Sequence, residues 1–146
     1  VPLIARWPGH IPEGTTSDFV TGFEDWIPTL LSLTGSRQPI PTGVDGVSLS
    51  DTLHGKQQTP RPFLYREFAG YGGQQAVWMG RWKGVRQRLL RPNNPNRLKI
   101  ELFDLDRDIS ESHDVAAKHP EIVARIRELM TIEHRASAIF PNKALD

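Results

Sequence analysis

The chain has 146 residues, 38% of them hydrophobic, with 18 basic against 17 acidic side chains and a formal net charge of +1. That balance supplies no global field toward nucleic acid or an anionic membrane, and no apolar run reaches the roughly 18–20 residues a membrane span needs. The absence of cysteine excludes disulfides, thiolate catalysis and Cys-ligated zinc from this stretch, while 12 Pro and 12 Gly point to a turn-rich, partly β architecture.

Val1 to Gly9 is an apolar run closed by Pro and Gly, which predicts a buried strand. Such a strand needs neighbours on both sides, so the chain is expected to be the C-terminal piece of a larger protein. His10 to Ser17 is a loop. Thr21-Gly22-Phe23-Glu24 fits a capping box opening a helix that carries Phe23, Trp26, Ile27, Leu30, Leu31 and Leu33 and stops at Gly35. Pro28 would kink that helix. A start at Asp25 places it in the tolerated first turn, but the apolar stripe begins at Phe23 and favours the longer helix. Leu3, Ile4, Trp7, Phe23, Trp26 and Leu30 are suited to a large core, so self-association through residues 1–35 is expected when that core is missing.

Ser36 to Gln58 is an irregular crossover holding Val47, Leu49 and Leu53, with one helical turn at Ser50–His54. It sets the expected boundary between two units, 1–57 and 58–146. The second unit predicts an antiparallel meander: Pro62–Phe68, Gln74–Met79, Trp82–Leu89 and Leu98–Leu105, with a tight turn at Gly80-Arg81. The third strand alternates imperfectly, which suggests partial cover on both faces. His119-Pro120-Glu121 then opens a helix whose Ile122, Val123, Ile126, Leu129 and Met130 form a stripe for packing on the sheet. The fold class is therefore α/β, and α+β within the chain itself: a strand and helix of a mixed-sheet domain, followed by a four-stranded antiparallel sheet on a C-terminal helix.

Candidate chemistry is sparse. The five histidines show no pair at the spacing of a helical metal site, and exposed or capping roles suit them best. Asp104-Leu105-Asp106-Arg107-Asp108 starts like a calcium loop, but Ile109 stands where the loop turns on Gly and Val115 where it needs a bidentate Glu, so an Asx-type turn is expected. Arg81, Lys83, Arg86, Arg88, Arg91 and Arg97 gather around one hairpin, and a solvated face explains them most simply. No nucleophile–base arrangement, readable carboxylate pair or metal-ligand set is present, so no catalytic or metal residue is assigned. The Gly70-Tyr71-Gly72-Gly73 loop lets backbone approach a ligand, and Glu67, Gln74 and Gln75 bring hydrogen-bonding groups suited to a hydroxylated substrate. The alternative role for Glu67 and Gln75 is to tie the hairpin together.

Taken in order, several segments resemble the C-terminal portion of type I sulfatases of the alkaline-phosphatase-like superfamily. Val1-Pro2-Leu3-Ile4-Ala5-Arg6-Trp7-Pro8-Gly9 resembles a VPLI-x-x-WPG strand. Asp25-Trp26-Ile27-Pro28-Thr29-Leu30-Leu31-Ser32-Leu33-Thr34-Gly35 is similar to a D-x-x-PTLL-x-L-x-G helix, and Asp45-Gly46-Val47-Ser48-Leu49 to a DG-x-SL loop. Glu67-Phe68 with Gly72-Gly73-Gln74-Gln75-Ala76-Val77 resembles an EF-x-x-x-GG-x-QAV hairpin, and Glu101-Leu102-Phe103-Asp104-Leu105 an ELYDL segment. Ile109 departs from a usual Pro, Trp78 from a common Arg and Ala69 from a frequent His.

The resemblance implies a parent that hydrolyses sulfate esters of a carbohydrate or aryl substrate. Its formylglycine nucleophile, calcium and catalytic residues would come from other sequence, none of them mapping onto this chain. The chain alone would then be inactive, and Glu67, Gln74 and Gln75 would be its substrate-binding candidates. The chain itself leaves the compartment unknown; by resemblance such a parent would be periplasmic or extracellular. Two other readings are a phosphatase or phosphotransferase of the same superfamily, and a non-catalytic carbohydrate-binding module.

Overall fold

A computed structural model describes residues 3–146; Val1 and Pro2, the start of the expected first strand, lie outside the described residues. The chain divides into two compact units, the first ending at Arg61 and the second beginning at Pro62.

In the first unit, residues 3–7 form no strand, and Leu3 and Ile4 are exposed. The expectation of a buried strand fails here for want of a ladder partner, since a strand is held by its neighbours and every described strand lies in the second unit. The run ends in a turn at Trp7, whose carbonyl accepts N–H bonds from His10 and Ile11 at 3.0 and 2.9 Å. A 3-10 turn, Phe23–Asp25, leads into α1, Trp26–Leu33. The capping box read at Thr21 is displaced by one residue, because the Gly22 N–H donates to Asp25 Oδ2 at 2.7 Å. The 3-10 turn carries the apolar start at Phe23, and the α-helix proper begins late enough to seat Pro28 in its first turn. Gly35, at φ +63, ends the helix in a Schellman motif: Ser36 N–H reaches Leu31 O at 3.0 Å and Gly35 N–H reaches Ser32 O at 3.2 Å.

The side of α1 buried within this unit is not its apolar stripe. Asp25, Pro28 and Thr29 are buried, whereas Phe23, Ile27 and Leu30, at i, i+4 and i+7, are exposed, Phe23 by 91%. Asp25 and Thr29 instead clamp the crossover. Asp25 Oδ1 accepts from Val47 N at 2.9 Å and from Arg61 Nη2 at 2.6 Å, and Thr29 Oγ1 accepts from Leu49 N at 2.9 Å. Gly46 is required where the two segments meet, since a Cβ there would fall 2.0 Å from the Glu24 carbonyl oxygen. The short helix α2, Ser50–Leu53, follows.

The second unit is a four-stranded antiparallel meander in the order β1-β2-β3-β4. The strands are β1, Leu64–Phe68; β2, Gln74–Met79; β3, Trp82–Gln87; and β4, Glu101–Asp104. β2 begins and ends where the pattern places it. β1 is shorter than expected, starting after Pro62 and Phe63. β3 stops at Gln87 because Arg88 turns to φ +58, and β4 starts only at Glu101 because turns occupy the residues before it.

Helix α3, Pro120–Glu133, opens with Pro at its first position and packs on one face of the sheet. Tyr65 pairs with Val77, Val77 with Gly84 and Gly84 with Leu102, so these residues share that face. The core there joins Val77, Ile100 and Leu102 to Ile126, Leu129 and Met130. Gly84 admits no side chain, as a Cβ would sit 2.6 Å from Ile126 Cγ2. Leu64, Val85 and Phe103 are buried on the opposite face, in keeping with the mixed pattern of β3.

Candidate functional site

The glycine-rich loop between β1 and β2 is not a slack connection. Gly70–Gly72 form a 3-10 turn closed by Gly73 N–H on Gly70 O at 3.0 Å. The segment after β3 pins it, with Leu90 N–H donating to Gly72 O at 2.8 Å and Leu89 N–H to Gly73 O at 3.1 Å. Gly73, at φ +80, has no room for a side chain against Leu89 and Leu90. The loop thus presents Tyr71, exposed by 85% and held at φ 52, ψ 29, beside an exposed Phe68.

Below the loop lies a buried polar network. Gln75, 1% exposed, donates from Nε2 to Tyr65 Oη at 2.9 Å and to Met130 O at 3.0 Å, and accepts from Arg86 Nη1 at 2.9 Å. Arg86 also donates from Nε to Leu98 O at 3.1 Å. Tyr65 donates its hydroxyl to Glu67 Oε2. Glu67 further meets His134 Nδ1 at 2.8 Å and accepts from Asn142 Nδ2 at 3.3 Å. On its other side, His134 Nε2 lies 3.1 Å from Asp146 Oδ1, close but not aligned for a hydrogen bond. Burial, then the bond to Glu67, pushes the Tyr65 hydroxyl above its ordinary range, so it stays protonated and donates. Burial and then the charge of Arg127 pull the Arg86 guanidinium down.

Of the three substrate-contact candidates, Glu67 and Gln75 therefore stand together on the α3 face, with the chain's own groups filling their hydrogen bonds. Gln74 sits alone on the other face of β2, and its amide has no hydrogen-bond partner among the described residues. His134, for which the sequence suggests an exposed or capping role, does stand at the end of α3, but it is half-buried between Glu67 and Asp146, partners distant along the chain. The basic cluster also divides. Arg86 is buried, Lys83 pairs with Glu111, and Arg81 pairs with Asp104 at 2.8 Å at the far end of the sheet. There a hollow of about 520 Å³ is lined by Arg81, Asp104, Arg107, Asp108, His113 and Lys118, among others. Asp108 closes the expected Asx-type turn, accepting from Ser112 N and His113 N at 2.8 Å each. A smaller hollow of about 220 Å³, beside the polar network, is lined by Tyr65, Glu67, Ala69, Arg135 and Phe140, with Glu133 and Ser137.

The four-stranded antiparallel meander with its C-terminal helix is shared with solved sulfatase structures. The chain belongs to the family described as N-sulphoglucosamine sulphohydrolase, C-terminal, whose model matches residues 1–136. It is 31% identical over 132 residues to arylsulfatase G of Rattus norvegicus, covering 83% of this chain and 25% of that protein. To the N-acetylgalactosamine-6-O-sulfatase of Bacteroides thetaiotaomicron it is 27% identical over 139 residues, covering 89% of this chain and 26% of that one. Among solved structures, a 2-O GAG sulfatase superposes with a TM-score of 0.56 at 29% identity, over 73% of this chain and 23% of that chain. The protein yidJ of Bacteroides fragilis shares the fold with a TM-score of 0.63 at 21% identity, over 86% and 27%. The matches span about a quarter of the length of these two curated relatives, and from 12% to 31% of others such as arylsulfatase A of Bos taurus and N-acetylgalactosamine-6-sulfatase of Sus scrofa.

Proposed function

We propose that this chain is the C-terminal part of a sulfatase that hydrolyses sulfate esters of a carbohydrate or aryl substrate. The observation that carries the reading is the family match over residues 1–136, joined to relatives that are sulfatases by name. The parent would use a formylglycine hydrate as nucleophile and a divalent cation, calcium, to neutralise charge developing on the sulfuryl oxygens. Both belong to sequence other than this chain: it holds no C/S-x-P-x-R motif, and among the described residues no group of acidic and histidine side chains is arranged to hold a metal. The residues here do not fit either group, so the chain's part is to wall the substrate cleft, and alone it is inactive.

Within that role Gln74 is the substrate contact favoured by its free amide. Glu67 and Gln75 act at one remove by stiffening the hairpin. Alone, the chain self-associates through residues 1–35, where α1 leaves its apolar stripe open. Mass spectrometry of the polypeptide encoded by the whole reading frame tests the proposal. An aldehyde in place of a Cys or Ser side chain upstream supports it, and an unmodified Thr or Ser nucleophile overturns it in favour of phosphoryl chemistry.

A further inference from the structure

In Gly70-Tyr71-Gly72-Gly73 three successive residues have positive φ, and one of them is a tyrosine, Tyr71 at φ 52, ψ 29, beside Gly72 at φ 85 and Gly73 at φ 80. Glycine takes that conformation freely, and a bulky aromatic does so only under constraint. The constraint is visible in the bonds from Leu89 and Leu90 to Gly73 and Gly72. It holds the Tyr71 ring out in solvent, 6.0 Å from the ring of Phe68 and tilted 49° to it. Phe68 in turn lies on the Gly70 backbone, where a Cβ would fall 2.4 Å from its ring, so one ring face is seated and the residue stays 57% exposed.

Cations stand beside this pair. A Cβ at Gly72 would lie 3.4 Å from Arg91 Cγ and 3.9 Å from the Cα of Arg88, itself held at φ 58. Neither guanidinium has an ion pair or side-chain hydrogen bond among the described residues. An exposed aromatic pair on a rigid turn, with the Arg91 guanidinium beside Gly72 and Arg88 on the adjoining segment, matches a ligand with an apolar ring face and an anionic substituent. A sulfated sugar has both. We propose that Phe68 and Tyr71 form the stacking platform for a sugar ring of the substrate, and that Arg88 and Arg91 receive its sulfate or carboxylate groups. The proposal rests on the sulfatase reading for the identity of the anion and extends it to residues that reading does not name.

The test is an NMR titration of the 146-residue chain with N-acetylgalactosamine 6-sulfate, with the unsulfated sugar and inorganic sulfate as separate arms. The sulfated sugar is expected to shift the amides of residues 68–73 and 88–91 and to bind more tightly than either part. Tyr71→Gly relieves the backbone while removing the ring, so it should weaken binding by about tenfold with the melting temperature unchanged or raised. Tyr71→Phe should keep binding within about twofold, because the ring is retained. Arg91→Ala should weaken the sulfated sugar and leave the unsulfated one unaffected. Unmoved amides at saturating millimolar ligand, or equal binding by Tyr71→Gly, overturns the platform. Sugar binding by the chain without sulfate release by the whole polypeptide would instead keep the platform and remove the sulfatase reading.

Discussion

Asp25 Oδ1 accepts the backbone N–H of Val47 at 2.9 Å, joining the first turn of α1 to the crossover that follows it. Four residues on, Thr29 Oγ1 repeats the contact with Leu49 N. The D-x-x-PT and DG-x-SL motifs are thus two halves of one clamp. Asp and Thr supply acceptors for buried N–H groups, Pro28 fits the first turn, and Gly46 gives the clearance.

Asp25 is fully buried and also holds the Arg61 guanidinium at 2.6 Å. Asp25→Ala takes the acceptor from two backbone N–H groups and leaves Arg61 only its longer pair with Glu24 at 3.6 Å, which should cost about 3 kcal/mol. Chemical denaturation of the chain followed by tryptophan fluorescence measures it, since Trp26 adjoins the clamp; a loss below about 1 kcal/mol would make the clamp incidental.

Gly84→Ala forces a methyl into the space of Ile126 Cγ2, 2.6 Å away. Overpacking of this kind costs about 1–3 kcal/mol. The double variant Gly84→Ala with Ile126→Ala removes both Cγ2 and Cδ1, so it should cost less than the sum of the two single variants, and a melting curve for each shows whether the two positions couple.

Asp114, like Asp108, is a carboxylate of the second unit held below its ordinary range. Burial would raise its carboxyl, but the N–H groups of Leu102 at 3.0 Å and Ala116 at 2.9 Å, with Lys99 beyond them, hold it below the usual range. A depressed folded value stabilises in full above the unfolded value of about 3.9, and that contribution is lost as pH falls through the folded value. Melting temperature against pH should therefore fall more steeply below pH of about 4 in the wild type than in Asp114→Asn. Parallel acid limbs would contradict this.

The outward stripe of Phe23, Ile27 and Leu30 should bring copies of the isolated chain together. Sedimentation is expected to show concentration-dependent association that Phe23→Ser with Leu30→Ser abolishes. A monomer at high concentration removes the idea.

The sequence made legible whatever rests on local pattern. Alternation placed β2 to the residue, and helical spacing placed Ile126, Leu129 and Met130 in the core. It misplaced what depends on distant partners. Leu3 and Ile4 read as a buried strand because composition reports apolarity and not the presence of a ladder. For Gln75 the sequence left open a ligand contact or a hairpin tie, because its acceptor at Met130 and its donor at Arg86 lie on other elements. The partners of His134, Glu67 and Asp146, are likewise distant along the chain.

Sulfate release by the polypeptide encoded by the whole reading frame tests the central claim most directly. The assay follows inorganic sulfate and inorganic phosphate side by side from an aryl sulfate, N-acetylgalactosamine 6-sulfate and their phosphate analogues. Sulfate release is expected from at least one sulfated substrate, with the 146-residue chain alone releasing none. Phosphate release without sulfate release, or sulfate release by this chain alone, would contradict it.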